Sequence, residues 1–231
     1  MPTSRTWRRV LAESIAVIAS ILIAFAIDAA WDAHQDREEL QGLLEGLRNE
    51  LVANQDLVQE GKQSTTEAIE RLTRFRSDAT GEMADIAATN SYLEIYLPFV
   101  RGWDVALQTG FLEATVSSGK LSLIPDPTTR ASLTSLAAEV EDLDRLNGEL
   151  DRMGADAAAV MGEYPSVRQL PGAVEIDPDG IPALRRDPRL QGLASARIIF
   201  LGGYLYSLHV KVGPRIEEAI RAIDETLSAL Q

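Results

Sequence analysis

The sequence of 231 residues contains no cysteine. This absence excludes disulfides, thiolate catalysis, cysteine-ligated metals and a lipid attached to an N-terminal cysteine. Histidine is nearly absent as well: His34 and His209 are the only two, and neither has a partner at the spacing of a metal site or a catalytic triad. No nucleophile-elbow serine, glycine-rich phosphate loop or HExxH motif occurs. The sequence therefore predicts a protein that is not an enzyme and that has no metal and no cofactor.

Basic residues are few: 22 Lys and Arg stand against 35 Asp and Glu, which gives a formal net charge of −13. This balance argues against nucleic acid and against an anionic membrane surface as partners, because both are polyanions. Hydrophobic residues make up 45% of the chain, which is ordinary for a folded domain.

Proline is absent between Thr3 and Leu97. Within that stretch, residues 10–31 are interrupted by charge only at Glu13 and Asp28. A helix over residues 10–30 is about 31 Å long, which matches a hydrocarbon core of about 30 Å. The sequence predicts a transmembrane helix over residues 10–31 that continues without a break into the next helix.

Charge on the two flanks predicts the orientation of this span. Arginines crowd the N-terminal flank, whereas acids dominate the other flank. Because the bias of Lys and Arg sets orientation, residues 1–9 are predicted to be a cytoplasmic stub and residues 32–231 an extracytoplasmic helical domain. The predicted anchor positions are Trp7, Arg8, Arg9, Glu13, Ala16, Ser20, Ala24, Asp28 and Trp31.

Some features of the anchor admit more than one interpretation. Glu13 is either a functional group inside the span or an interfacial partner of Arg9, and the second interpretation is favoured because the two residues are one turn apart. Small residues recur every four positions from Ala12 to Ala24, which suits a dimer or a partner helix. A cleaved signal peptide is the main competitor, since a basic start, an apolar core and Ala24-Phe25-Ala26 fit that template.

Beyond the span, the pattern is helical. Leucines at three- and four-residue spacing predict an amphipathic helix from Leu40 onward. Asp126-Pro127 and Asp187-Pro188 are typical helix starts, and the first begins a coiled-coil-like seam that ends at Met161. Residues 164–187 are predicted to be an irregular loop. The charge-free run Ile198–Val210 is too short for a second crossing and is interpreted as a buried core helix. The predicted fold is all-α, an antiparallel bundle of long helices behind one transmembrane helix.

Aromatic residues concentrate between these helices. Tyr92, Tyr96, Phe99, Trp103 and Phe111 lie close together along the chain. They are candidates for the lining of a ligand groove, although aromatics at helical spacing are more often part of a core. Shorter helices are predicted around them, over 82–97 and over 103–118.

The residues also resemble a known family. The run Glu13-Ser14-Ile15, Ile21-Leu22-Ile23-Ala24, Ile27-Asp28 and Trp31 resembles the anchor of a group of bacterial membrane proteins that carry a domain of unknown function. In that group the anchor is followed by a charged helix with the rhythm seen in Leu44-Glu45-Gly46-Leu47-Arg48-Asn49-Glu50-Leu51. Trp103, Ser118-Gly119-Lys120-Leu121, Ile124 and Asp187-Pro188 look similar to later features of the group. This chain departs from it at Ala26 and Asp28. The resemblance implies a single-pass protein of the bacterial cell envelope, located in the inner membrane, and it implies no activity.

Three functions follow as hypotheses. The first is a non-enzymatic scaffold or partner-binding module that packs its helical faces against another protein or a second copy. The second is a ligand-sensing or transporter-accessory protein with a pocket in the bundle. The third and least favoured is a hydrolase with an unrecognised carboxylate site.

Overall fold

The computed structural model describes residues 4–77, 90–101, 105–171 and 173–230, and for residues 4–17 it describes the backbone alone. Three long helical elements dominate it, joined by short helices and one hairpin. The elements are α1 Ser4–Ser77, a π-helical turn Tyr92–Tyr96, α2 Leu97–Val100, α3 Gly110–Ser117, a 3-10 turn Lys120–Leu123, α4 Pro127–Gly162, β1 Val167–Leu170, β2 Ala173–Ile176, a 3-10 turn Pro178–Gly180, α5 Ile181–Arg186, α6 Pro188–Tyr206, a π-helical turn Ser207–Val212 and α7 Gly213–Leu230.

Helix α1 is continuous over 74 residues, or about 111 Å. The absence of proline permits this length, and the predicted continuation from the apolar run into the amphipathic helix is confirmed. Its buried positions begin at Leu40 and recur with alternating spacings of four and three. They are Leu40, Leu44, Leu47, Leu51, Asn54, Val58, Gly61, Thr65, Ala68, Leu72 and Phe75, and Leu43 is buried beside them. The helix therefore has one buried stripe, and that stripe covers only its C-terminal half.

Helix α4 starts as the sequence predicts. The Asp126 side chain accepts a hydrogen bond from the Thr129 backbone N–H at 2.7 Å, and Pro127 occupies the first turn. Every position of the predicted seam is buried: Leu133, Leu136, Val140, Leu143, Asn147, Leu150, Gly154, Ala157 and Met161. This confirms which face of α4 is buried, whereas the supercoiling typical of a coiled coil stays a prediction.

Helices α6 and α7 form one helical stretch with a π-helical turn between them. The buried residues of α6 follow the same alternation of four and three up to Leu208, but Leu208, Val212 and Ile216 are then four apart twice. The wider turn accommodates the extra residue, so that both halves keep their apolar stripe toward the core. It also lies directly before Pro214, where the missing amide hydrogen removes one helical hydrogen bond.

The three long elements pack as an antiparallel bundle. Along α1, Arg48 pairs with Asp224 at 2.6 Å, and the Phe75 carbonyl accepts a hydrogen bond from Arg185 at 2.9 Å. Along α4, Lys211 pairs with Glu139 at 3.1 Å and Arg189 with Glu163 at 2.8 Å. Residues farther along α1 and along α4 pair with residues of lower number in the C-terminal part of the chain. The stretch α6–α7 therefore runs antiparallel to both helices. The predicted all-α helical bundle is confirmed.

The connections differ from the sequence prediction. Residues 164–187 are not irregular: β1 and β2 pair antiparallel with Val167 opposite Ile176, and both of these side chains are buried. Two four-residue strands beside prolines leave too little alternation to be recognised from sequence. α3 begins at Gly110 and not at Trp103, because side chains of other helices bind the non-helical backbone of residues 105–109. Pro98 does not end the preceding helix, since a π-helical turn before it allows the chain to continue to Val100.

Two glycines of α4 give a matched test of this packing. A Cβ at Gly154 would lie 2.6 Å from the Val100 carbonyl oxygen, whereas a Cβ at Gly148 meets nothing within 4 Å. We expect Gly154→Ala to lower the free energy of unfolding by about 2 kcal/mol through overpacking. Gly148→Ala is expected to raise it by about 0.5–1 kcal/mol, because alanine is the better helix former. Urea unfolding followed by circular dichroism measures both, and equal effects would contradict the close approach of α2 to α4.

Candidate functional site

Residues 18–39 of α1 form a helical stretch with no other part of the described chain packed around it. From residue 18 to residue 39 every side chain is exposed. The exposed set includes large apolar groups, among them Phe25 at 66% and Trp31 at 68% relative exposure. Such a run is far longer than the isolated apolar residues that are normal on a protein surface. It requires either a membrane or another protein chain.

Four of the nine predicted anchor positions fall on this exposed stretch. Ser20, Ala24, Asp28 and Trp31 are exposed. The side chains of the other five lie outside the described residues, although their backbone is part of α1; these are Trp7, Arg8, Arg9, Glu13 and Ala16. The one-turn separation of Glu13 from Arg9 is therefore set by the helix, while their contact stays a prediction.

A different helical stretch meets the general criteria for a membrane span. Among the described residues, Pro188–Leu230 is the stretch that is long and apolar enough to cross a membrane, and a third of its most apolar window is buried inside the protein. A buried core helix passes the same criteria of length and composition. The N-terminal span predicted from the sequence is not supported by these criteria, and the side chains of residues 4–17 within it are outside the described residues.

The middle of the bundle contains a buried arginine. Arg197 is 1% exposed, and its guanidinium donates hydrogen bonds to three backbone carbonyls on two different segments. The acceptors are Pro98 at 2.9 Å, Leu150 at 2.5 Å and Arg101. Burial lowers the pKa of Arg197 to about 10, and the charge of Asp151 opposes that shift. Arg197 therefore ties α6 to α4 and to the C-terminal end of α2, where helix carbonyls lack helical partners.

A non-helical segment, residues 105–109, is bound to its neighbours through its backbone. The Tyr204 hydroxyl accepts a hydrogen bond from the Val105 N–H at 3.1 Å. Asn54 donates to the Gln108 carbonyl at 2.7 Å and accepts from the Gln108 N–H at 2.8 Å. Through these three hydrogen bonds, side chains of other helices satisfy backbone N–H and C=O groups that no helix or strand pairs. We call residues 105–109 the strap.

The strap leads into α3, and α1 supplies the cap of that helix. The Glu50 carboxylate accepts from the backbone N–H groups of Phe111 at 2.6 Å and Leu112 at 2.9 Å. A negative charge is favourable at this end of a helix. Glu50 and Asn54 are one turn apart on α1, so a single face of α1 binds both the strap and the start of α3.

A second polar cluster holds the start of α6. Asp187 accepts from the Tyr164 hydroxyl at 2.6 Å and from the Arg189 guanidinium at 2.8 Å. The hydrogen bonds from Arg189 and then from Tyr164 hold the pKa of Asp187 well below its usual range, and the same bond to Asp187 raises the pKa of Tyr164. Glu163 also pairs with Arg189. The cluster joins the end of α4 to the start of α6 and leaves Asp187 as a fixed carboxylate.

The candidate aromatic residues are spread over two ends of the bundle. Tyr92 and Tyr96 stack with ring centroids 5.8 Å apart and line an open groove of about 410 Å³. Phe99 packs edge-on against Phe75, with centroids 4.9 Å apart. Phe111 lies far along α1, where its ring covers Gly46. Trp103 falls outside the described residues.

The geometry contains no recognisable catalytic arrangement among the described residues. No group of three His, Asp or Glu side chains there is placed to hold a metal ion. His34 contacts Glu38 at 3.3 Å on the exposed part of α1, and His209 lies beside a surface groove of about 610 Å³ along α1. These arrangements can bind and position helices, and they offer no nucleophile with its base.

Sequence reasoning missed Arg197, Tyr204, Asn54 and Glu50. A signal for Arg197 was present, because it falls in phase with Leu190, Ala194 and Leu201 on an apolar stripe. A charged side chain on such a stripe is expected to be buried and to form hydrogen bonds or ion pairs there. No such signal exists for Asn54 and Glu50, since both recognise backbone groups of a distant segment.

The exposed apolar half of α1 and the outer faces of the bundle are therefore the features that bear on function. Comparison with protein-family models, with curated proteins and with solved structures finds no match for this chain.

Proposed function

We propose that the chain is a single-pass membrane protein in which residues 10–31 are the anchor and the bundle is a non-enzymatic, partner-binding module of the bacterial cell envelope. The observation that carries the proposal is the division of α1. Exposed apolar residues end at Trp31, exposed polar residues follow, and the buried stripe begins at Leu40. One continuous helix thus has a membrane-like part and a bundle part.

Energetics favour a membrane around the first part. Burial of each large apolar side chain contributes about 1.5–3 kcal/mol, and the described part of the run exposes Ile18, Ile21, Leu22, Ile23, Phe25 and Ile27. A backbone that is helical throughout satisfies its own hydrogen bonds, as a membrane core requires. The helix from Trp31 to Leu40 then spans about 13 Å, which separates the bundle from the interface.

The C-terminal stretch is a poorer anchor. Its Arg197 is buried among carbonyls of α2 and α4, and its stripe Leu201, Tyr204 and Leu208 lies in the core. Inserting Pro188–Leu230 into a membrane would separate these contacts. The N-terminal helix can enter a membrane without disturbing any buried residue of the described chain.

The flanking charges and the family resemblance support the direction and the location. Arginines before the span favour a cytoplasmic N-terminus, and the bundle then lies outside the cytoplasm. The resemblance of the anchor to the bacterial group supports a location in the inner membrane. The function of the bundle is contact with a protein partner through its outer faces.

A reporter at the C-terminus tests this topology. An alkaline phosphatase that is active only outside the cytoplasm, fused after Leu230, is expected to be active and to stay in the membrane pellet after an alkaline wash. A fluorescent protein that folds only in the cytoplasm, fused at the same position, is the matched control and is expected to be dark. A bright control would overturn the single-pass topology. A phosphatase-active chain that leaves the pellet and lacks a tag placed before Met1 would identify a cleaved signal peptide instead.

A further inference from the structure

Helix α6 has a second apolar stripe on the side that faces away from the bundle. Its members recur with alternating spacings of four and three, as the buried stripe does: Gly192, Ala196, Ile199, Gly203, Tyr206 and Val210. We call this set the outer seam. Ile199 is 73% exposed, Tyr206 58% and Val210 53%, and a Cβ at Gly192 or Gly203 meets nothing within 4 Å. The charge-free run Ile198–Val210 is thus apolar on both faces, although only one of them is buried by this chain.

We propose that the outer seam is a dimer interface that packs in parallel against the outer seam of a second copy. This inference rests on the proposed function, because the anchor decides which occupant can reach the seam. Gly61 of α1 lies against Leu208, so the position of Gly61 along α1 shows how far the outer seam is from the anchor. Gly61 is about 45 Å from Trp31 along the helix, so neither the membrane nor the anchor of the same chain reaches the seam.

A second copy in the same membrane meets the seam at the same height. Two identical anchored chains present identical faces side by side, which is the geometry of a two-fold axis along the membrane normal. In that arrangement each residue of the seam faces its own copy, and Gly203 lets the two helix backbones approach closely between the Ile199 and Tyr206 layers. An antiparallel pair would point the two anchors in opposite directions.

Electrostatics also favour this face for self-association. The chain carries a net charge of −13, so most contacts between two copies are repulsive. From Gly192 to Val210 the outer seam itself contains no Asp, Glu, Lys or Arg. A two-fold contact there places no like charges against each other.

The size of the seam suits a tethered dimer. Covering the exposed apolar side chains on two copies removes on the order of 1,000 Å² of surface, which is the low end for a specific interface. Membrane anchoring compensates for the small interface, because confining both copies to one membrane raises their effective concentration. We therefore expect a dimer in the membrane that dissociates readily when the chain is diluted in detergent.

Single cysteines test the arrangement directly, because the natural chain has none. The full-length variants Ile199→Cys, Tyr206→Cys and Val210→Cys are oxidised in isolated membranes, and each is expected to give a disulfide-linked dimer. Val52→Cys and Val116→Cys are matched controls, since both valines are exposed but lie on α1 and α3. They are expected to give at least tenfold less dimer.

Three outcomes would overturn the proposal. Absence of crosslinks at the seam excludes this interface, and equal crosslinking at the controls indicates random collision. A further variant, Gly203→Cys, lies in the middle of the seam, and self-crosslinking confined to it indicates an antiparallel pair. Adding Tyr206→Glu to Ile199→Cys should abolish the dimer while the melting temperature stays unchanged, since Tyr206 is exposed. The alkaline wash of the same membranes reports on the anchor separately, so a soluble chain contradicts the proposed function and not the seam.

Discussion

Arg197→Met is expected to lower the free energy of unfolding by about 3 kcal/mol, at roughly 1–3 kcal/mol for each buried carbonyl that loses its donor. The carbonyls of Pro98 and Arg101 lie in the single turn of α2 and at its C-cap, where the backbone leaves the helix. Methionine fills a similar volume, so the loss reports the hydrogen bonds and not a cavity. With total stabilities of about 5–15 kcal/mol, a change of this size is readily measured.

Urea unfolding of the full-length chain in detergent, followed by circular dichroism, measures the effect. Arg152→Met is the control, because the Arg152 side chain is 70% exposed on α4 and pairs with Glu149, three residues earlier, at 3.1 Å. Exposed ion pairs of this kind contribute about 0–1 kcal/mol. Arg197→Lys should restore little, since one ammonium cannot reproduce the planar fork that reaches separate segments. Equal stability of the Arg197→Met and Arg152→Met variants would contradict a role for Arg197 in holding α2 on the bundle.

Leu22→Arg combined with Phe25→Arg is expected to release the chain from the membrane. Both side chains are exposed near the centre of the proposed span. Arginine at the centre of a transmembrane helix costs about 2.5–3.5 kcal/mol, so the pair costs about 5–7 kcal/mol. That is enough to move nearly all of the chain from the membrane pellet to the soluble fraction, and the C-terminal phosphatase should lose its activity.

The control adds the same charge to the bundle. Val52→Arg combined with Leu170→Arg replaces two exposed apolar residues of the bundle, so fractionation and phosphatase activity should match the unmodified chain. If the chain with arginine at positions 22 and 25 stays in the pellet after an alkaline wash, attachment does not depend on residues 10–31. Attachment through Pro188–Leu230 would then be favoured, and the proposed topology would be wrong.

The sequence by itself determined the helices and their inner faces. Leucines from Leu40 to Leu51 and the seam from Leu133 to Met161 predicted which positions are buried, because a spacing of three and four residues places side chains on one side of a helix. Helix starts at Asp126 and Asp187 were equally predictable, since the cap depends on neighbouring residues alone. Local chemistry and periodicity are both contained in the order of residues.

Only the tertiary structure decided how the connections and polar groups are arranged. The strap, the cap that Glu50 gives α3 and the carbonyls around Arg197 all involve backbone groups, which every residue carries and no sequence pattern marks. The hairpin at Val167–Ile176 exists because its buried pair lies against the bundle. Helix α6 has two apolar stripes of the same spacing, and the positions of α1 and α4 decide which one is buried. The other stripe is left outside, which is the physical reason that the outer seam requires the folded chain to be recognised.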